Sequence, residues 1–219
     1  EDVNVFSGFP APENLAQFGA DARFQVLVGS TEGETILSTN NKMPPFDNVK
    51  VREALAHAIN RQEIIDGAMF GYGTPIGTHF APHNPDYVDL TAQSAYDPEL
   101  AKKLLAEAGF ADGFKTTLKL PPPSYARRGG EIIAAQLRAV GIETEISNLE
   151  WAQWLGGTFK GNFDLTVINH VEPLDYMAYA NPQYYWGYDS KAFRDLAAKH
   201  ASTTAAKERT QLFGDMQRM

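Results

Sequence analysis

The sequence predicts an α/β fold: an open mixed sheet with a β-α-β-α-β parallel core and flanking helices. Three observations predict it. Phe114, Thr116, Leu118 and Leu120 fall on one face of an alternating run, the period of a strand. Two helix-and-strand units follow that run, the first helix closed by Gly141. Helices of that length carry the chain back across a sheet, so the three strands should be parallel and joined by right-handed crossovers.

Taken in order, residues 1–45 read as a Gly/Pro-rich entry and a short helix near Asn14–Gly19. Two β-branched strands follow, Phe24–Gly29 and Thr35–Asn40. "MPPFDN" is a turn in which Asp47 or Asn48 caps the next helix. That helix, Val49 to about Ile59, puts Val51, Leu55, Ala58 and Ile59 on one face. Asn60 and Glu63 form a variant capping box, so a second helix, Arg61–Phe70, begins there. Residues 71–87 are loop by their glycines and prolines. In "YDPELAKKLLAEAGF", Asp97 caps, Pro98 takes the first helical position and Gly109 closes the helix. After the first alternating strand come a helix over Arg127–Val140, a strand through Ile142, Thr144 and Ile146, and a helix from Asn148. The last strand of the unit runs through Phe163, Leu165 and Val167, and two helices fill residues 190–219.

The composition narrows the function. A net charge of -8 without a clustered basic face argues against nucleic acid. There are no cysteines, which removes thiolate metal sites, cysteine nucleophiles and disulfides together. No apolar run reaches the length of a membrane-spanning helix. No signal peptide is visible in the polar opening at Glu1; the chain starts without methionine, and it stops at Met219 inside an amphipathic pattern. Both ends lead us to expect a segment of something longer.

Open parallel sheets bind ligands beyond the carboxyl ends of their strands. Two loops should meet there: "PPPSYARR" (121–128) with Tyr125, Arg127 and Arg128, and "NHVEPLDYMAYANPQYYWGYD" (169–189) with His170, Glu172, Asp175 and Trp186. An arginine, a carboxylate and aromatic faces on one rim suit a zwitterionic organic solute. Plainer roles stay open. Arg127 and Arg128 could be solvated, Glu172 and Asp175 could be turn or cap residues, and His170 could be a structural histidine. Most of the aromatics could be packing, although some should be exposed if the loop is one wall of a cleft.

Catalytic patterns are poor. There is no Gly-x-Ser-x-Gly elbow, no His-Glu-x-x-His helix and no phosphate-cradling glycine loop, so no cofactor is expected. His79 and His83 are four apart, but Pro82 between them argues against one helical face holding a metal, and none is expected. Two readings stand beside a binding lobe. One is a hydrolase using His170 with Glu172 or Asp175; the other is a structural lobe-lobe interaction domain.

"NNKMPPFDNVKVREALAHAINRQEII", residues 40–65, resembles the peptide/nickel-type family (family 5) of extracytoplasmic solute-binding proteins of bacterial ABC importers. "YDPELAKKLLAEAGF" and "AAQLRAVGIETEISNLEWAQW" look like their counterparts there. The resemblance implies a two-lobed protein that closes on its solute, and not an enzyme. Residues 1–30 would be the exit from a first lobe and residues 31–219 the second, inserted lobe. It also implies a periplasmic, monomeric protein that partners the membrane permease subunits of an importer. By family position Glu172 or Asp175 would meet a ligand ammonium, and Arg127 or Arg128 a carboxylate. Asn169-His170 stands where peptide-binding relatives often carry Gly-Trp, which widens the solute from peptides to opines, sugars, haem and metal chelates.

Overall fold

The computed structural model describes residues 4–172 and 175–219. Pro173, read above as part of a loop, lies outside the described residues. Four strands form one sheet in the order β1-β4-β2-β3: β1 (Glu34–Thr39), β2 (Phe114–Leu120), β3 (Ile142–Asn148) and β4 (Leu165–His170). β2 runs parallel to both β3 and β4, and β1 closes the edge antiparallel to β4. The three-strand parallel core is therefore as the sequence predicts.

The helices follow local chemistry. α1 (Leu15–Gly19) is short and is preceded by a 3-10 turn. α2 (Val49–Ala58) is capped by Asn48, whose side chain accepts from the Lys50 N–H at 2.9 Å; this decides the choice between Asp47 and Asn48. α3 (Arg61–Met69) is capped by Asn60, which accepts from the Glu63 N–H at 3.2 Å. The other half of the expected capping box is made differently. Gln136 accepts from the Asn60 N–H at 3.1 Å and donates to Glu63 at 2.8 Å, because the helix that carries it packs alongside. α4 (Pro98–Glu107) has the Asp97 cap, and Gly109 follows it at φ +90°.

α5 (Ser124–Ala139) starts three residues before the predicted Arg127, so Tyr125, Arg127 and Arg128 lie in its first turns and not in a loop. β3 runs on through Asn148, and α6 (Trp151–Gly156) starts after it under a capping box made by Glu150 and Gln153. α7 (Lys191–Ser202) and α8 (Ala206–Gln217) are the two final helices. Where β2 and β3 begin, Gly113 has φ +74° and its absent Cβ would sit 1.8 Å from the Gly141 carbonyl oxygen. Only glycine lets these two backbones pass.

One strand is corrected. Phe24–Gly29 is not a strand: residues 24–30 have no regular structure, and Phe24, Leu27 and Val28 are 50%, 81% and 68% exposed. Its apolar residues have the composition of a strand but no partner edge among the described residues.

β4 is buried on both faces, as expected of a strand inside a sheet covered on both sides. Leu165 and Val167 join the core under α2, α4 and α5, with Leu118, Leu137 and Ile142. Ile168 points to the opposite, aromatic core of Trp154, Phe163, Tyr185 and Trp186. Thr166 shares that second face: its hydroxyl donates to the Lys119 carbonyl at 2.6 Å and accepts from the Trp154 indole N–H at 3.0 Å.

Thr166→Val keeps the shape but strands two polar partners. It is expected to cost about 2–3 kcal/mol in urea unfolding. Thr166→Ser, which loses only a methyl, should cost about 1 kcal/mol.

Candidate functional site

Side chains alternate along a strand, so His170 falls on the same face as Thr166 and Ile168, at the carboxyl end of β4. Glu34 faces it across the antiparallel pair, since Glu34 and His170 are register partners. Both are buried, at 4% and 6% exposure. Around them sit three further groups. Asp175 brings Oδ2 to 2.5 Å from His170 Nδ1, and the Tyr185 hydroxyl lies 2.9 Å from His170 Nε2. His79, from the 71–87 loop, has its ring centroid 5.1 Å from that of His170, and its Nδ1 is 3.0 Å from the Tyr179 hydroxyl.

Burial sets the charge states. It pushes His79 down to about 3, with help from the neighbouring His170, so His79 is neutral at pH 7. It pushes Glu34 up to about 7, and the negative charges of Glu32 and Asp175 add to this. Asp175 is also raised by burial, against the pull of His170. The hydroxyls of Tyr179 and Tyr185 are raised by the same cause and stay protonated.

The other predicted residues take varied places. Tyr125 reaches β4, where its hydroxyl accepts the Asn169 N–H at 3.1 Å, so the two predicted loops do meet. Trp186 is buried at 2% exposure and stacks on Tyr179 at 4.6 Å. Glu172 is exposed, and its carboxylate accepts the Val171 N–H at 3.1 Å. Arg127 pairs with Glu150 at 3.1 Å. Arg128 makes two bonds to Glu13, at 3.1 and 2.7 Å, and lies over the Phe70 ring. Its guanidinium holds the Glu13 carboxyl below the usual carboxylate range.

The expectation of exposed aromatics is corrected. Among Tyr176, Tyr179, Tyr184, Tyr185, Trp186 and Tyr188, two are buried and four half-buried. They pack on each other; Tyr176, Tyr179 and Tyr188 also pack on α7 and α8, and with His79 these three line a cavity of about 180 Å³. Sequence reasoning missed Glu34, and it weighed His79 only as a helical metal pair with His83, not as a neighbour of His170. The alternation of β1, with Glu34 in phase with Ile36, was the available signal for the first; a loop histidine gives none.

Residues 2–194 match the family model described as bacterial extracellular solute-binding proteins, family 5 Middle. The chain is 35% identical over 151 residues to Heme-binding protein A of Haemophilus influenzae, covering 67% of this chain and 28% of that protein. It is 36% identical over 147 residues to the Glutathione-binding protein GsiB of Salmonella choleraesuis, covering 66% and 28%. Its fold superposes with a TM-score of 0.87 on the periplasmic binding protein DppA of Helicobacter pylori in complex with peptide STSA. That match has 27% identity and covers 95% of this chain and 43% of the other. The chain thus spans less than half the length of each.

Glu34 gives a pH-dependent test. A carboxyl whose folded value is raised favours the fold fully below its unfolded value, near 4.5, and loses that advantage as pH rises through about 7. Glu34→Gln should therefore be more stable than the parent at pH 8, by on the order of 1–3 kcal/mol, and near parity at pH 4.5. Urea unfolding in chelator-containing buffer, so that no stray cation titrates the cluster, reads the difference.

Proposed function

The chain belongs to the family 5 bacterial extracellular solute-binding proteins, and from that premise we propose that it is the ligand-binding lobe of a periplasmic component of an ABC importer. Residues 31–219 form the second, inserted lobe, and residues 1–30 lead into it from the first. The exposed Phe24, Leu27 and Val28 support this division, because apolar side chains in an irregular segment suit cover by another part of the protein. The two lobes close on a solute by a hinge, and the closed form meets the permease subunits.

One observation carries the reading. The carboxyl ends of β2 and β4 converge, joined by the Tyr125 hydroxyl on the Asn169 N–H, and the exposed Glu172 follows directly. Asp175 is engaged with His170 inside the aromatic layer, so Glu172 is the acid free to take a ligand ammonium. Arg127 has a single ion pair with a largely exposed Glu150, whereas Arg128 is held twice by Glu13. Arg127 is thus the arginine more easily released to a carboxylate. A zwitterion with both groups, such as a short peptide, fits that pair, and the peptide- and glutathione-binding relatives agree with it.

The role is binding and not catalysis. His170 is buried, with the Tyr185 hydroxyl against one ring nitrogen and the Asp175 carboxylate lying against the other, so neither nitrogen faces a substrate. Mass spectrometry of small molecules that co-purify with the full-length protein should return a compound carrying an ammonium and a carboxylate. Glu172→Lys is expected to weaken that compound at least tenfold by calorimetry, and Arg127→Glu to do the same. Unchanged affinity in both would overturn the assignment.

A further inference from the structure

Two histidines, half-buried His79 and buried His170, come from places 91 residues apart in sequence, His79 in a loop and His170 at the end of β4. With Asp175 they make a group whose ligand atoms all lie within 4.8 Å of one another. Each imidazole has one nitrogen engaged by a tyrosine hydroxyl, Tyr179 at Nδ1 of His79 and Tyr185 at Nε2 of His170. This leaves Nε2 of His79, which is buried without a hydrogen-bond partner, and Nδ1 of His170. Oδ2 of Asp175 approaches that Nδ1 to 2.5 Å yet makes no aligned hydrogen bond.

We propose that His79, His170 and Asp175 bind one divalent transition-metal ion, with Tyr179 and Tyr185 orienting the two imidazoles from behind. Two imidazoles and a carboxylate are the donors of zinc and its neighbours; magnesium and calcium prefer oxygen alone. Metal-bound histidines commonly have their second nitrogen fixed by a hydrogen bond, which sets the tautomer and the ring angle. Both histidines have that arrangement here.

A metal-free ion pair between His170 and Asp175 accounts for less. It leaves the His79 nitrogen desolvated and unmatched, and buried polar atoms seldom go without a partner. It also sets two acids against one imidazole, since Glu34 is the register partner of His170 and Asp175 lies 2.5 Å from its Nδ1. A dication offsets both charges. Tetrahedral zinc with bonds of about 2.0–2.2 Å holds its ligand atoms roughly 3.3 Å apart. The present spread closes to that by side-chain rotation and by parting the His170–Asp175 contact.

This site stands apart from the solute reading, because its ligand atoms belong to buried His170 and half-buried His79 and Asp175, not to the exposed Glu172 or Arg127, and it needs no solute. Zinc chloride and nickel chloride, titrated separately into chelator-stripped protein by calorimetry, are expected to bind at one ion per chain. Nickel should quench tryptophan fluorescence, because the Trp186 ring lies 5.5 Å from His170 and 6.0 Å from His79. His79→Gln and Asp175→Asn should each weaken zinc at least tenfold with an unchanged far-UV spectrum. His83→Gln, at the exposed histidine paired with Glu32, should leave the affinity alone. X-ray absorption at the zinc edge of the parent protein decides the matter even where a variant does not fold: two imidazole ligands are expected. No stoichiometric binding, fewer than two imidazoles at the edge, or binding lost in His83→Gln and kept in His79→Gln overturns the proposal.

Discussion

The arrangement hangs on the seam between β2 and β4. Only two residue pairs are in register there, Leu118 with Leu165 and Lys119 with Thr166. Side chains lengthen this short ladder. The Asp164 carboxylate accepts from the Thr117 N–H at 3.1 Å and from its hydroxyl at 2.7 Å, and the Thr166 hydroxyl binds the Lys119 carbonyl. Buried polar groups satisfied in this way specify one register, since a slip of one residue would turn Thr166 and His170 to the wrong face. Because β4 is fixed, its last residue delivers His170 into the aromatic layer, and Asn169 meets Tyr125 from α5.

The aromatic layer then sets the electrostatics. It excludes water from a cluster of acids and imidazoles, and that exclusion is why Glu34 and His79 both shift toward their neutral forms. The exposed acid two residues beyond His170 keeps its contact with solvent. One loop therefore carries two carboxylates with different roles: Asp175 turned inward to an imidazole, Glu172 turned outward. The arginines divide in the same way, Arg128 clasped to Glu13 and Arg127 more lightly held.

Much of this was legible in the sequence where a period or a cap carried it. The alternation from Phe114 gave β2, and the Asp97, Pro98 and Gly109 signals bounded α4 to within two residues. The expectation that loops converge beyond the carboxyl ends of parallel strands placed Tyr125, His170 and Trp186 in one neighbourhood. What could not be read depended on tertiary partners. Phe24–Gly29 has strand composition, but a strand needs an edge to pair with. The capping box at Asn60 was half replaced by Gln136, 76 residues away. His79 lies in a loop with no periodicity, so nothing local says that it turns to meet His170. The different settings of Arg127 and Arg128 depend on Glu13, which no spacing rule connects to α5.

The pairing of β1 with β4 has a consequence for the order of folding. Asn40, at the end of β1, donates to the carbonyls of Gly161 and Phe163, which lie 121 and 123 residues further along. The parallel unit from Phe114 to His170 is assembled from nearer neighbours, whereas β1 must close a loop of more than a hundred residues. The entropy of that closure makes the edge strand a late arrival. On the ribosome, Glu34 and His79 emerge long before the strand and the aromatics that bury them. The pocket is therefore completed from its youngest residues backward, and until then its acids and imidazole titrate as ordinary groups in water.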